Sequence, residues 1–299
     1  MKKDDVCLIV SHDAGGAEIL ANYVAQNKQQ LFQFVLAGPA LLIFQRTLGD
    51  ISVSELDLAL VCADWCLCGT SWQSDLEWQA IDKAQRLDKK VIAFIDHWVN
   101  YSDRFIRNNV QHLPDEIWVG DEYAEKEARR CFMHTPIEVV ENSYLINIKK
   151  QIDALSMSIK TNGISENCLL FVSENISGHA LLKYGDKNYF GYTEFDALEF
   201  LLQYLDCISI GLTSVVIRPH PADAKGKYDA YLKHKSIHIS VSQEASLLKD
   251  ILKVNIVAGC QSMALEVALI AGKTVFSCMP FGLVCHLPHK GIHILSEKI

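Results

Sequence analysis

The strongest constraint on the fold of this chain is a regular alternation of short apolar runs with amphipathic stretches. In the first half, the apolar runs lie at 6–10, 32–38, 58–63, 91–96, 116–120 and 137–140. Stretches with helical period separate several of them, at 17–27, 74–90 and 122–132. Strands that are apolar throughout and alternate with helices are typical of a parallel sheet covered on both faces. The sequence therefore predicts an α/β fold of the doubly wound, Rossmann-like class.

The alternation breaks once, over the polar stretch 141–166, and then restarts. The later apolar runs lie at 168–173, 214–219, 237–241, 255–259 and 274–278. One later helix is predicted to begin with Thr193 as its N-cap and Asp196 three residues on, a variant of the capping box. Because 299 residues exceed the usual length of one domain, the break predicts two Rossmann-like domains, residues 1–150 and 151–299.

Composition excludes several classes of protein. The net charge of −8 argues against a non-specific nucleic-acid binder, which is normally basic. No run approaches the roughly 18 apolar residues of a membrane span. Acidic residues interrupt the start of the chain, where a signal peptide would be apolar. We therefore expect a cytoplasmic protein with at most peripheral membrane association and no nucleic-acid partner.

The ten cysteines are expected to be free thiols in a reducing compartment. Five of them lie in or beside apolar runs, where a thiol acts as a small buried hydrophobe: Cys7, Cys62, Cys168, Cys260 and Cys278. Cys66 and Cys68 are one residue apart, and no second pair has the spacing of a zinc site. Neither a structural metal nor a cofactor is expected.

Candidate site residues follow the strands, because ligands of doubly wound sheets bind beyond the carboxyl ends of the strands. The first run is followed by His12, Asp13, Gly15 and Gly16. The glycines allow backbone to approach a ligand closely, and the helix N-terminus that follows favours negative charge. The spacing is not G-x-G-x-x-G, so no dinucleotide fingerprint is predicted. The alternative is a tight strand-to-helix turn capped by Asp13.

A second candidate segment follows the run at 58–63. Thr70, Ser71 and Trp72 combine hydroxyl groups with a flat aromatic face, which suits a sugar-like ligand. The alternative is a helix cap with aromatic packing on the core. The acidic triplet 75–77 falls in a first helical turn, where acidic residues are favoured, so we do not interpret it as a metal-binding D-x-D.

A third candidate pair, Asp96 and His97, ends the run at 91–96. A histidine at a strand end is a candidate acid or base because its ordinary pKa is near neutral. The alternative is a partly buried structural histidine. Asp96 is accordingly a candidate ligand contact and His97 a candidate catalytic residue.

The second half contains two candidate phosphate-binding elements. Arg218 and His220 follow the run at 214–219, and prolines on each side restrict the backbone of His220. Ser262 opens a helix whose first N–H groups can hold a phosphate oxygen, and Glu266 can accept hydrogen bonds from a ribose diol. Alone, Ser262 is typical of an N-cap. Together with the His-Pro strand end in the same domain, it indicates a nucleotide-binding site.

These two elements resemble the C-terminal half of GT-B glycosyltransferases, above all bacterial sialyltransferases, polysialyltransferases and capsule transferases that use CMP-activated acidic sugars. The matching residues are His220-Pro221 and, about forty residues later, Ser262. In those families both motifs bind the nucleotide phosphate. Their serine motif usually has two adjacent hydroxyl residues, whereas Gln261 precedes Ser262 here. The nearest counterpart of their acidic D/E-D/E-G motif contains Asp13. The resemblance covers about half of the chain.

The resemblance implies two domains that face a cleft, an acceptor-side domain over 1–150 and a nucleotide-sugar domain over 151–299. It implies metal-independent, inverting transfer of a nonulosonic acid such as sialic, pseudaminic or legionaminic acid. The donor is expected to be CMP-linked, with UDP as the other candidate, and the acceptor a surface glycan or glycolipid. Asp13 is the first candidate for the base, with His12 orienting it or sharing its proton, and His97 is the alternative.

Two other functions remain compatible with the same residues. A nucleotide-sugar 2-epimerase or hydrolase would need acidic groups near both sugar carbons, and it would act without an acceptor. A non-catalytic nucleotide-binding subunit of glycan assembly would bind nucleotide without turnover and would tolerate loss of Asp13 and His97.

Overall fold

The computed structural model describes residues 5–71, 74–159, 165–209, 211–234 and 236–299. The chain divides into two compact units, Met1–Asn147 and Ile148–Ile299. The boundary expected from the sequence, between residues 150 and 151, lies three residues after this division.

The first unit is built around a parallel sheet. Its strands are β1 (Val6–Ser11), β2 (Leu31–Leu36), β3 (Trp65–Cys68), β4 (Lys90–Ile95), β5 (Ile106–Arg107), β6 (Val110–Gln111), β7 (Glu116–Val119) and β8 (Ile137–Val139). Its helices are α1 (Ala14–Gln26), α2 (Pro39–Leu48), α3 (Leu56–Cys62), α4 (Leu76–Arg86), α5 (Glu122–Cys131) and α6 (Ser143–Ile159), the last of which continues into the second unit. A 3₁₀ turn covers Ser102–Phe105. The sheet order is β2-β1-β3-β4-β7-β8, and β5 and β6 form a separate antiparallel hairpin.

Both faces of this sheet are covered, which explains why its strands are apolar throughout. Leu8 and Val10 of β1 belong to one core cluster, and Cys7 and Ile9 belong to another, on the opposite face. All four side chains are fully buried. A strand covered on both faces has no position for a polar alternation, as the sequence predicts for a parallel sheet.

One predicted strand of the first half is wrong. The run at 58–63 lies within and just after α3, and the strand that follows is the shorter β3. Leu56, Ala59 and Leu60 are buried while Leu58 and Val61 are exposed, which is the period of an amphipathic helix. A six-residue apolar run fits either a buried strand or a short helix, so its composition alone could not decide between them.

The second unit repeats the architecture of the first. Its strands are β9 (Ser165–Val172), β10 (Ser214–Arg218), β11 (His238–Val241), β12 (Val254–Gly259), β13 (Thr274–Ser277) and β14 (Ile292–Ile294). Its helices are α7 (Ile176–Tyr184), α8 (Glu194–Gln203), α9 (Leu205–Ile208), α10 (Leu247–Leu252) and α11 (Met263–Ile270), with 3₁₀ turns at Asp229–Lys233 and Leu295–Glu297. The parallel sheet has the order β11-β10-β9-β12-β13-β14.

The capping box that the sequence predicts for α8 is confirmed. The backbone N–H of Asp196 donates to Thr193 Oγ1 at 3.3 Å, and the backbone N–H of Thr193 donates to Asp196 Oδ2 at 2.7 Å. The predicted helix over 193–208 is interrupted at Tyr204 and is therefore two helices, α8 and α9.

In each sheet there is one point, between two neighbouring strands, on either side of which the chain adds its successive strands in opposite directions. In the first unit the chain passes from β1 to β2 on one side and then crosses back to β3, so this switch point lies between β1 and β3. In the second unit it lies between β9 and β12. Ligands of doubly wound sheets bind at the carboxyl ends of the strands that flank such a point. Among the described residues, no helix is long and apolar enough to cross a membrane.

Candidate functional site

The switch point of the first unit brings together residues that follow β1 and β3. Asp13 Oδ1 accepts a hydrogen bond from Ser71 Oγ at 2.7 Å and lies 2.7 Å from His12 Nδ1. Asp13 and His12 are each about four-fifths buried. Because a carboxylate accepts hydrogen bonds, the pair favours the histidine tautomer that carries its proton on Nδ1. His12 Nε2 is then the nitrogen that can accept a proton.

Gly38 leaves the space that the His12 ring occupies. Its backbone has a φ of +52°, and a Cβ at this position would lie 2.5 Å from His12 Nε2. The backbone N–H of Ala40 also donates to the carbonyl of His12 at 3.1 Å. The segment after β2 therefore fixes the position of the imidazole from the side opposite Asp13.

Glu77 is a buried carboxyl group beside this pair that the sequence interpretation missed. Only 3% of the residue is exposed. Its Oε1 accepts a hydrogen bond from the backbone N–H of His12 at 2.7 Å, and its Oε2 has no hydrogen-bond partner among the residues that the structure describes. Burial raises the pKa of Glu77 to about 8, and the charge of Asp13 adds a smaller increase. Glu77 is therefore mostly protonated at pH 7.

An ion pair lies at the next strand end. Arg104 Nη1 donates to Asp96 Oδ1 at 2.7 Å and to Thr70 Oγ1 at 2.6 Å, and the arginine side chain is 4% exposed. A Cβ at Gly15 would overlap Asp96 Oδ2, and a Cβ at Gly16 would lie 3.3 Å from a backbone atom of the loop after β3. The two glycines therefore allow protein groups to approach the first turn of α1 closely.

Two predicted residues of the first unit remain, His97 and Trp72. His97 follows β4, which is separated from β1 by β3, and its ring packs against Trp98 with a centroid distance of 5.3 Å. Trp98 Nε1 donates to Asp121 Oδ2 at 2.8 Å. Trp72 lies outside the described residues.

The acidic triplet 75–77 does not present its carboxylates to a common site. Asp75 Oδ1 accepts a hydrogen bond from Arg107 Nε at 2.8 Å, while Glu77 is buried beside His12. Within the described parts of the chain, no group of three or more His, Cys, Asp or Glu side chains is arranged to hold a metal ion.

In the second unit, the loops after β9 and β12 meet at the switch point. Glu174 Oε1 accepts a hydrogen bond from the backbone N–H of Gln261 at 2.7 Å. Burial raises the pKa of Glu174, while the backbone N–H groups of Gln261, Cys260 and Ser262 all act to lower it. The carboxyl group of Glu174 is thus hydrogen-bonded to the backbone just before α11.

Ser262 is the N-cap residue of α11, but its side chain does not cap the helix. Its Oγ is buried and has no hydrogen-bond partner among the described residues. Glu266, in the first turn, is 7% exposed, and its Oε1 lies 3.6 Å from His289 Nε2. The Gln261 side chain accepts a hydrogen bond from the backbone N–H of His286 at 3.3 Å.

Arg218 is held by protein groups at the end of β10. Its Nη1 lies 2.5 Å from Asp250 Oδ2 and donates to the carbonyl of Glu244 at 3.0 Å, and Nη2 donates to the carbonyl of Ala245 at 3.3 Å. Asp250 is buried. These bonds fix the guanidinium and the loop that follows β11.

His220 has one tautomer fixed by its neighbours. The backbone N–H of Ala222 donates to His220 Nδ1 at 3.1 Å, so the proton of the neutral ring is on Nε2. Although part of the residue is exposed, the protein around the ring lowers the pKa of His220 below its usual range, because desolvation disfavours the charged form. His220 is thus a neutral donor whose backbone N–H is also bonded, to Asp223 Oδ2 at 2.9 Å.

Glu77 and Glu174 are two carboxyl groups of these sites that sequence interpretation did not find. Glu77 lies three, four and seven residues before Ala80, Ile81 and Ala84, all buried, so helical period alone predicts that it faces the core. Acidic residues are favoured in a first helical turn, so the position of Glu77 accounts for its charge without indicating a site. Glu174 lies just beyond a predicted strand, but its contact with Gln261 depends on strand order, which the sequence does not reveal.

Comparisons with known proteins give the fold and no closer relationship. No protein-family model matches the sequence, and no curated protein matches it. The structure is similar to that of a UDP-GlcNAc 2-epimerase from Methanocaldococcus jannaschii, with 13% identity, a TM-score of 0.59, and 91% of this chain and 83% of that chain covered. It is also similar to the S. aureus MnaA–UDP complex, with 12% identity, a TM-score of 0.59, and 91% and 78% covered. These likenesses show a GT-B-like, two-domain Rossmann-like α/β fold.

Proposed function

We propose that this chain is an enzyme that acts on nucleotide sugars, and specifically a metal-independent, inverting glycosyltransferase. The observation that carries the proposal is that both units concentrate proton-transfer or anion-binding groups at their switch points, where doubly wound sheets bind ligands. The two structural neighbours add support, since one is a UDP-GlcNAc 2-epimerase and the other was solved with UDP. The proposed donor carries a nonulosonic acid on CMP, and the proposed acceptor is a surface glycan.

The second unit is the proposed nucleotide side. Ser262 Oγ, buried and without a partner among the described residues, would donate to a phosphate oxygen beside the first-turn N–H groups of α11. His220 would donate from Nε2, with Pro219 and Pro221 limiting its freedom. Glu266 would accept hydrogen bonds from the ribose diol. Together these groups would stabilise the negative charge that develops on the leaving nucleotide.

Arg218 has a supporting role in this proposal. The sequence predicts that it contacts the phosphate, but its guanidinium is bonded to Asp250 and to two carbonyl groups. We therefore propose that it holds the end of β10, and with it the turn that carries His220, in place.

The first unit is the proposed acceptor side, with the His12–Asp13 pair as the base. Asp13 accepts the Nδ1–H of His12, and His12 Nε2 takes the proton of the acceptor hydroxyl. The hydroxyl oxygen forms the new bond to the anomeric carbon as the bond from that carbon to the phosphate oxygen breaks. The nucleotide leaves with that electron pair. Glu77, being mostly protonated, leaves Asp13 as the charged partner of His12.

Replacing His220 tests the nucleotide site. His220→Ala is expected to weaken nucleotide binding about tenfold to a hundredfold, because a hydrogen bond to a charged group contributes roughly 1.5–3 kcal/mol. Calorimetric titration of CMP, UDP and GDP measures this change. The wild-type protein should also gain about 2.7 kcal/mol in its free energy of unfolding at 100 times the Kd of the nucleotide that binds.

The matched control is His234→Ala, which removes an exposed histidine of the same unit. It should leave nucleotide affinity unchanged. If His220→Ala instead lowers thermal stability and its folded fraction binds nucleotide as the wild type does, His220 is a structural residue of its turn.

Metal independence is a separate expectation. Asp75 and Glu77 are engaged with Arg107 and His12, so neither is arranged with the other as a D-x-D pair. Hydrogen-bond donors and the helix N-terminus take the place of a metal at the leaving phosphate. Turnover should therefore be unchanged in excess EDTA. Activity that disappears with EDTA and returns with magnesium or manganese would contradict this assignment.

A nucleotide-sugar 2-epimerase is the second candidate, favoured by the neighbour from Methanocaldococcus jannaschii. The first unit offers three carboxyl groups for such chemistry, those of Asp13, Glu77 and Asp96. Epimerisation at C2 breaks and remakes the C2–H bond, so in D₂O it would introduce deuterium at C2 without any acceptor. Transfer requires an acceptor and breaks no C–H bond of the sugar, so it introduces no deuterium.

A further inference from the structure

A group of charged side chains lies beside the turn that carries His220. Lys227 Nζ donates to Asp223 Oδ1 at 2.6 Å and forms a second ion pair with Glu194. The side chains of Asp223 and Glu194 are fully buried, and that of Lys227 is 15% exposed. Buried charges are costly unless they are paired and hydrogen-bonded. Lys227 therefore balances two carboxyl groups that the fold keeps from water.

Asp223 connects this group to His220. Its Oδ2 accepts hydrogen bonds from the backbone N–H of His220 at 2.9 Å and from the hydroxyl of Tyr228 at 3.3 Å. Tyr228 lies in turn within hydrogen-bond distance of Ser173, just after β9. The backbone N–H of Asp223 also donates to the carbonyl of His220 at 2.9 Å, so the two residues close this turn in both directions. With Lys227 on Oδ1, both oxygens of Asp223 act as acceptors.

Glu194 connects the same lysine to the first turn of α7. It accepts the backbone N–H of Ser177 at 2.8 Å and the hydroxyl of Ser177 at 2.7 Å. Burial acts to raise the pKa of Glu194, but the bonds from Lys227 and Ser177 outweigh it and hold the pKa below its usual range. Glu194 is therefore ionised at pH 7, and Lys227 is the cation that joins it to the turn after β10.

We infer that Lys227 is a positioning residue of the proposed nucleotide site, which holds, through Asp223, the turn from which His220 donates to phosphate. The inference rests on the proposed function and deepens it, because it names a residue that acts on the nucleotide only through His220. The N–H of Ala222 fixes the tautomer of the ring, whereas the pair of Lys227 and Asp223 fixes the turn that carries it.

The same charges act on the ionisation of His220. Desolvation is the main cause that lowers its pKa; the charge of Asp223 raises the pKa, that of Lys227 lowers it, and that of Glu194 raises it. A unit charge a few ångströms beyond hydrogen-bond distance changes a pKa by about one unit at an effective dielectric constant of about 30. Removing the charge of Lys227 should therefore raise the pKa of His220 by about one unit, and removing that of Asp223 should lower it.

The test replaces Lys227 with methionine, which keeps the unbranched apolar chain without the charge. NMR titration of the full chain follows the ring signal of His220, which is assigned by its loss in His220→Ala. In Lys227→Met the pKa of His220 should rise by about one unit. At pH 8, where His220 is mostly neutral in both proteins, calorimetric titration with CMP and UDP should give a Kd about twofold to tenfold higher than in the wild type, because a less ordered turn must be fixed on binding.

Lys225→Met is the matched control, because it removes an exposed lysine of the same loop. Both the pKa of His220 and the nucleotide Kd should remain those of the wild type. Asp223→Asn is a second variant, which leaves Lys227 paired with Glu194 and so leaves no buried charge unbalanced. It should lower the pKa of His220 and weaken nucleotide binding about twofold to tenfold.

An unchanged pKa of His220 in folded Lys227→Met, or an unchanged nucleotide Kd at pH 8, would overturn the inference while leaving nucleotide binding in place. If Lys227→Met does not fold, Asp223→Asn decides by the same two readouts. If neither CMP nor UDP binds the folded wild type, or if neither shifts the His220 signal, the proposed function fails, and the inference fails with it.

Discussion

Asp13→Asn should lower turnover by about a hundredfold to ten-thousandfold while nucleotide affinity stays within about threefold of the wild type. In the wild type, Asp13 Oδ1 accepts a hydrogen bond from the Ser71 hydroxyl at 2.7 Å and lies 2.7 Å from His12 Nδ1. An asparagine has nearly the same shape but no charge to stabilise a protonated His12. Its amide can also donate to Nδ1, which would select the tautomer that cannot accept a proton at Nε2.

Steady-state kinetics with calorimetric titration of the nucleotide separates the two effects. Asp57→Asn is the control, since Asp57 is an exposed residue that pairs with Lys83. It should behave as the wild type. Full turnover in Asp13→Asn would move the role of base to His97, and His97→Asn would then be the next variant to measure.

Glu77→Gln should stabilise the first unit by about 3 kcal/mol at pH 7. The pKa of Glu77 is about 8 in the folded protein against an ordinary value of 4.5. Between these values the folded state holds a proton that the unfolded state has lost, so stability falls as pH rises from about 4.5 to 8. At pH 7 this is 2.5 pH units, each worth 1.36 kcal/mol. The glutamine is neutral at every pH and does not incur this cost.

Urea unfolding between pH 5 and pH 8 measures the effect. Tryptophan fluorescence reports on the first unit alone, because all five tryptophans lie within it. The difference between Glu77→Gln and the wild type should shrink towards zero near pH 4.5. Glu122→Gln, an exposed first-turn carboxylate of α5, should keep the wild-type pH dependence. Identical pH profiles for Glu77→Gln and the wild type would show that Glu77 is ionised in the folded protein.

The fold class could be predicted from the sequence because central strands such as β1 and β4 are buried on two faces. Cys7, Leu8, Ile9 and Val10 alternate between two core clusters, and this leaves an apolar run that the sequence displays directly. The strand predicted at 58–63 is wrong because a short amphipathic helix and a short buried strand have the same composition. The sequence also contained no clear signal for α7 or α10.

The candidate site could be predicted in part. The sequence predicts site residues after apolar runs, among them His12, Asp13 and Ser71. In the structure, His12 and Ser71 each lie within hydrogen-bond distance of Asp13. Their contact requires β1 to lie beside β3, which no local pattern reveals. Glu77 and Glu174 contact residues 65 and 87 positions away along the chain, so only the folded structure identifies their partners.

The most direct test of the central claim is to follow nucleotide release by ³¹P NMR. The purified chain is incubated in EDTA with CMP-, UDP- and GDP-linked sugars, with and without glycan acceptors. We expect release of CMP from a donor that carries an acidic sugar, dependent on an acceptor and slowed at least about a hundredfold by Asp13→Asn. A folded protein that is stabilised by nucleotide yet leaves every donor intact would contradict the claim, and would instead indicate a non-catalytic nucleotide-binding subunit.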